Sequence, residues 1–162
     1  MKTIRYGQIN MGHFVFRNIR IMTLHFFSFL YLSVISIFDL RTGRIPNLLT
    51  AGFFVAMIWS DIFTNPEKIL HHLICAVFFF TVFAVTAFVT KGLGFGDVKA
   101  ASVLGYGMGF LRGCIGFVFA SIAGIIFFAV LSILKRENAK IPFAPFMLAG
   151  FAASEILCRR FS

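Results

Sequence analysis

The chain has 162 residues, 59% of them hydrophobic and 13% charged, with a mean hydropathy of +0.92. A soluble domain of this length has too little interior to hide so much apolar surface, so an ordinary water-soluble fold is excluded and lipid must be the solvent. The net charge of +9 comes from fifteen Lys and Arg spread over every inter-span loop and both tails, the distribution of topology signals and headgroup contacts, and no nucleic-acid partner is expected.

A bilayer core of about 30 Å needs roughly 17–25 helical residues to cross it. In chain order the apolar runs predict spans at 21–38, 48–64, 69–90, 98–111, 113–134 and 141–158. The expected fold is therefore an all-α membrane protein, a polytopic bundle of about six transmembrane helices. Residues 1–20 read as an N-terminal tail, interfacial or preceding the true start (Met11 and Met22 are later candidate starts). Residues 21–158 read as one transmembrane domain and 159–162 as a short C-terminal tail. The first run ends in Asp39 and not in a small-residue cleavage site, which argues against a signal peptide. Trp59 reads as an interfacial anchor. The fourth run is short: fourteen residues reach only about 21 Å. It either crosses a thinned membrane or is re-entrant, and its Gly105, Gly107 and Gly109 suit close helix packing.

The informative residues are acids at the ends of these runs. Asp39 follows the first span directly and leads into Ile45-Pro46-Asn47. Asp97 closes Gly94-Phe95-Gly96-Asp97-Val98-Lys99 after the third. A carboxylate at the lip of a bilayer is costly and marks a functional site by default. Two crossings separate Asp39 from Asp97, so both end on one membrane face whatever the orientation. Asp61 falls on the opposite face, about 20 Å away along one helix. Two facing carboxyls suit aspartic acid–base chemistry, in which a shared proton prepares a water for attack.

Simpler roles compete with that one. Asp97 reads equally well as a helix N-cap. An acid at the C-terminus of its helix, as Asp39 is expected to be, is opposed by the helix dipole, and together with a neighbouring carboxylate this helps one group hold a proton. Asn47 is expected to cap the second helix, with a bond toward Asp39 as a further role. Lys99 lies two residues from Asp97 and faces another way, which suits a headgroup or substrate-loop contact. His25, His71 and His72 have no carboxylate at metal-ligand spacing. Cys75, Cys114 and Cys158 form no C-x-x-C pair. No metal, cofactor or disulfide framework is expected.

Three segments together give the chain a resemblance: Asp39 with Ile45-Pro46-Asn47, then Gly94-Phe95-Gly96-Asp97-Val98-Lys99, then Ile141-Pro142-Phe143-Ala144-Pro145. From about residue 30 to 150 they resemble the type IV prepilin peptidase family, membrane aspartic peptidases that include the archaeal preflagellin peptidases. The resemblance implies removal of a short basic leader from prepilins or pseudopilins at the cytoplasmic face of the bacterial inner membrane. It implies Asp39 and Asp97 as the catalytic pair; Gly94, Gly96, Lys99, Asn47 and Pro142 are expected to bind substrate or support the site. Glu137 is expected to contact the basic leader. Bifunctional members carry an additional N-terminal segment, often with paired cysteines, and also methylate the product. Neither feature is read here, so the compact form without methyltransferase activity is expected.

Over the whole chain the basic residues give no orientation, with seven on the aspartate face and eight on the other. Without the N-terminal tail, the aspartate face carries seven (Arg41, Arg44, Lys91, Lys99, Lys135, Arg136, Lys140) and the other face four (Lys68, Arg112, Arg159, Arg160), which turns the aspartates toward the cytoplasm. The alternative from another class is a non-enzymatic membrane component, a small transporter or an assembly subunit with a degenerate peptidase fold. A proton-coupled transporter would place its carboxylates nearer mid-membrane than these.

Overall fold

The computed structural model describes residues 11–43, 45–64, 66–90, 94–133 and 143–161. Among these residues the regular elements are α1 (Met11–Thr42), α2 (Asn47–Thr64), a 3-10 turn (Pro66–Lys68), α3 (Ile69–Thr90), α4 (Phe95–Ile133) and α5 (Ala144–Phe161). An apolar chain in lipid must satisfy its backbone polar groups within itself, and helices do so segment by segment. α1 to α4 are each long and apolar enough to cross a membrane, and α5 is a shorter apolar helix. The protein is an all-α membrane protein.

The expected count of about six helices becomes about five. The runs 98–111 and 113–134 follow one another without a loop as the two helical arms of α4, joined at Gly109 with φ 73° and ψ −178°. The chain folds back on itself there. Gly105 and Gly113, four residues either side, both lie against the ring of Phe79, and Asp97 shares a cavity wall with Gly124 and Ile125. In a straight helix Asp97 and Ile125 would stand about 42 Å apart. The turn also borders a cavity shared by His71 near the start of α3 and Cys158 near the end of α5. The short first arm therefore runs from one end of the bundle to the other and is not re-entrant.

The conformation at Gly109 belongs to a region open essentially to glycine alone. No heavy atom lies within 4 Å of a Cβ built there, so any penalty of a side chain comes from the backbone. Gly109→Ala is expected to destabilise the protein by about 1–3 kcal/mol, measured as a lower melting temperature in detergent. Gly124→Ala, in the interior of the second arm, should instead be neutral or stabilising through helix propensity.

Helices close on one another where side chains are small, since packing and not water expulsion drives their association in lipid. Gly107 of α4 sits on Ser28 of α1, and Gly150 of α5 sits on the backbone of Gly116 and Ala120 in the second arm of α4. Around these contacts lies a core containing Tyr31, Leu32, Met57, Phe79, Leu104, Tyr106, Met147 and Phe151. These contacts fix which helix ends come together at each face.

Candidate active site

α1 carries Asp39 in its last turn, three residues before the helix ends at Thr42. Gly43 terminates it in the left-handed conformation (φ 59°), and its N–H donates to the Asp39 carbonyl at 2.9 Å, a glycine C-terminal cap. The side chain of Asp39 has a second environment that local sequence does not suggest. Its Oδ2 accepts the backbone N–H of Ala144, the first residue of α5, at 3.1 Å. The expectation that a helix dipole opposes this carboxylate is therefore only half the field. The C-terminus of α1 opposes the charge, and the N-terminus of α5, 105 positions along the chain, favours it.

Asp97 is not the cap of its helix. The Asp97 and Val98 N–H groups both donate to the Gly94 carbonyl, at 3.0 and 3.4 Å, which makes Gly94 the cap and Asp97 the third helical residue. The Asp97 carboxylate reaches back to the Gly94 N–H, as the acid of a capping box does. It is also close enough to Asp39 to feel that group's charge. Gly96 supplies room: a Cβ there would stand 3.2 Å from Cβ of Ile45, so glycine lets the segment before α2 lie against the start of α4.

These residues meet in one cleft of about 380 Å³ at the end of the bundle, walled by Asp39, Gly43, Ile45, Asn47, Gly94, Phe95, Gly96, Asp97 and Lys99. Six of the eight residues singled out from the sequence are brought together there. Pro142 and Glu137 lie outside the described residues. Asn47 does not cap α2, because Thr50 N–H donates to the Pro46 carbonyl and makes Pro46 the cap. Nor does Asn47 turn toward Asp39: its Oδ1 accepts from Lys99 Nζ at 3.0 Å, linking the start of α2 to the start of α4. Lys99 also stands 5.8 Å from the centre of the Phe95 ring, a cation–π distance. Gly43 and the Ala144 N–H are site features that sequence reasoning missed. A glycine after a helix was a usable signal for the first; nothing local signals the second.

The opposite end of the bundle holds further polar groups. Asp61, fully buried, accepts from the Tyr106 hydroxyl at 2.9 Å and from His72 Nδ1 at 2.6 Å. His25 lies 3.3 Å from Glu155 and 3.0 Å from Arg112. Sequence spacing found no carboxylate for these histidines, yet the fold supplies one to each of these two. Arg112 belongs to the same cluster, with its Nε 3.6 Å from Glu155. Asp61 stands apart from the cleft, as parity required, and among the described residues no group of three His, Cys, Asp or Glu could hold a metal ion.

Comparison with curated proteins and with solved structures gives no match. The family model described as the Type IV leader peptidase family matches residues 26–129, more than half of the chain and a stretch that contains both cleft aspartates. With four helices able to cross a membrane and a family match of that extent, the chain belongs to the type IV leader peptidase family.

Proposed function

We propose that this protein is a membrane aspartic endopeptidase that removes the short basic leader of prepilins or pseudopilins, with Asp39 and Asp97 as its catalytic pair. The observation that carries the reading is the common cleft: two carboxyls from helices far apart in sequence line one glycine-edged opening at the end of the bundle. One ionised carboxylate takes a proton from water, the water oxygen attacks the scissile carbonyl, and the other carboxyl protonates the departing amine. The glycines leave room for an extended strand, which a protease requires because a helix hides its carbonyls. Lys99 and Asn47 hold the cleft walls in register and take no proton themselves.

Counted without the N-terminal tail, the excess of basic residues on the aspartate face supports an active site turned to the cytoplasm in a bacterial inner membrane. Leader removal alone, without methylation of the product, completes the reading. The test is reconstitution in lipid with a prepilin and mass analysis of the product. Loss of the leader by a single cut is expected, with an unmethylated new N-terminus. An intact prepilin under conditions where the protein is folded would overturn the assignment.

A further inference from the structure

A second cavity, about 710 Å³, lies beside the cleft between α3 and the second arm of α4. Its walls include Val82, Val118, Ile122, Ile125 and Phe128, all exposed on the outside of the bundle, where lipid stands. Asp97 lines this groove as well as the cleft, so the two adjoin at the residue proposed to act on the peptide. From Phe117 to Phe128 the groove follows about three helical turns, roughly 16 Å. We propose that it is the docking track for an apolar helical segment of the substrate, which enters sideways from the bilayer and presents the residues at its end to Asp97. The proposal rests on the peptidase reading above.

Charge is the obvious alternative means of holding a basic leader, and the cleft is poor in it. The chain has six acidic residues. Two are the pair itself. Asp61 and Glu155 are engaged at the far end of the bundle, and Glu67 lies in the turn at that same end. Glu137 is outside the described residues. Among the described residues the cleft therefore offers no carboxylate beyond the pair, and Lys99 repels a basic peptide. The groove offers recognition in the form lipid allows. Helices associate in a membrane by close packing at small side chains, and Gly124 and Ser121 both line this wall. A Cβ on Gly124 would touch the Phe143 ring at 3.7 Å, an ordinary van der Waals contact, so the glycine keeps the groove wall beside that ring low. A helix lying in a groove is also a common way of recognising an apolar segment.

Gly124→Leu sets a larger side chain into the groove beside the Phe143 ring, from a position whose backbone is ordinary helix. Two substrates separate the possibilities: a full-length prepilin in vesicles, and a water-soluble peptide covering the leader and a few residues past the cut. The ratio of kcat/KM for the anchored substrate to that for the peptide is expected to fall about ten-fold or more, carried by KM. An unchanged ratio would mean that the groove holds only lipid, and an equal loss on both substrates would mean damage passed to the cleft; either overturns the docking track. A change in self-association with cleavage intact would assign the groove to a second copy and overturn it too. If wild-type protein cuts neither substrate, the peptidase reading fails, and docking is then judged by a photo-cross-linking residue at position 125. That residue should capture the prepilin's apolar segment, whereas one at the exposed Val55 of α2 should not. Equal capture at both positions would sink the proposal.

Discussion

Asp39→Asn is expected to abolish leader removal while the protein remains folded in the membrane, and Asp97→Asn to do the same. The amide is the right replacement for a structural reason. Asp39 accepts the Ala144 N–H and Asp97 accepts the Gly94 N–H, and an asparagine oxygen can take over either bond. Each variant therefore keeps its helix end satisfied and loses only the ability to exchange a proton. Alanine would confound the two, because the start of α5 or of α4 would lose a hydrogen-bond partner as well. General acid–base catalysis alone contributes about 10²–10⁴-fold, so loss of one member of a pair that works as a unit should cost at least that much. Product mass after a fixed incubation gives the rate, and melting in detergent checks the fold. A stably folded Asn variant at either position that cut at the wild-type rate would remove that residue from the catalytic pair.

That these two aspartates share a face was legible from hydropathy, because counting crossings needs neither orientation nor tertiary structure. Their helix-end chemistry was only partly so. Sequence reading correctly put Asp97 at the start of a helix, but choosing the cap requires knowing which carbonyl accepts the first bonds, and that carbonyl belongs to Gly94. The dipole argument for Asp39 considered only its own helix, because nothing near residue 39 announces that the N-terminus of α5 will stand against it. The same limit applies to Asn47 and Lys99, whose bond spans 52 positions. The break in α4 was hidden differently. Gly105, Gly107, Gly109 and Gly113 look alike in sequence, yet three of them meet neighbouring side chains while Gly109 alone has a positive φ. Composition shows that glycine is present; only the fold shows which glycine makes the turn.

Asp61→Leu is expected to destabilise the protein strongly, and Tyr106→Phe added to it to recover much of the loss. Asp61 joins three helices at the end of the bundle away from the cleft: it sits on α2 and accepts from His72 of α3 and Tyr106 of α4. Tyr106 is fully buried, so removal of the carboxylate strands its hydroxyl. Two magnitudes bracket the effect. Interhelical hydrogen bonds in membrane proteins average about 0.6 kcal/mol each, which would give about 1 kcal/mol for two. Leaving a buried donor without its acceptor costs about 1–3 kcal/mol. The upper range should govern here, because the Tyr106 hydroxyl has no access to water. Where both partners are replaced by apolar groups the desolvation penalty disappears, hence the expected recovery in the double variant. Unfolding in detergent reads the effect; independent, additive losses from the two substitutions would show that the two groups are not coupled. Asp61 stands fourteen residues along α2 from Asn47, about 21 Å from the cleft, so cleavage per folded molecule should stay at the wild-type rate. A residue that matters to stability and not to turnover would mark the far-end carboxylate as the clasp that keeps α2, α3 and the first arm of α4 in register, leaving the chemistry to the two aspartates at the other end.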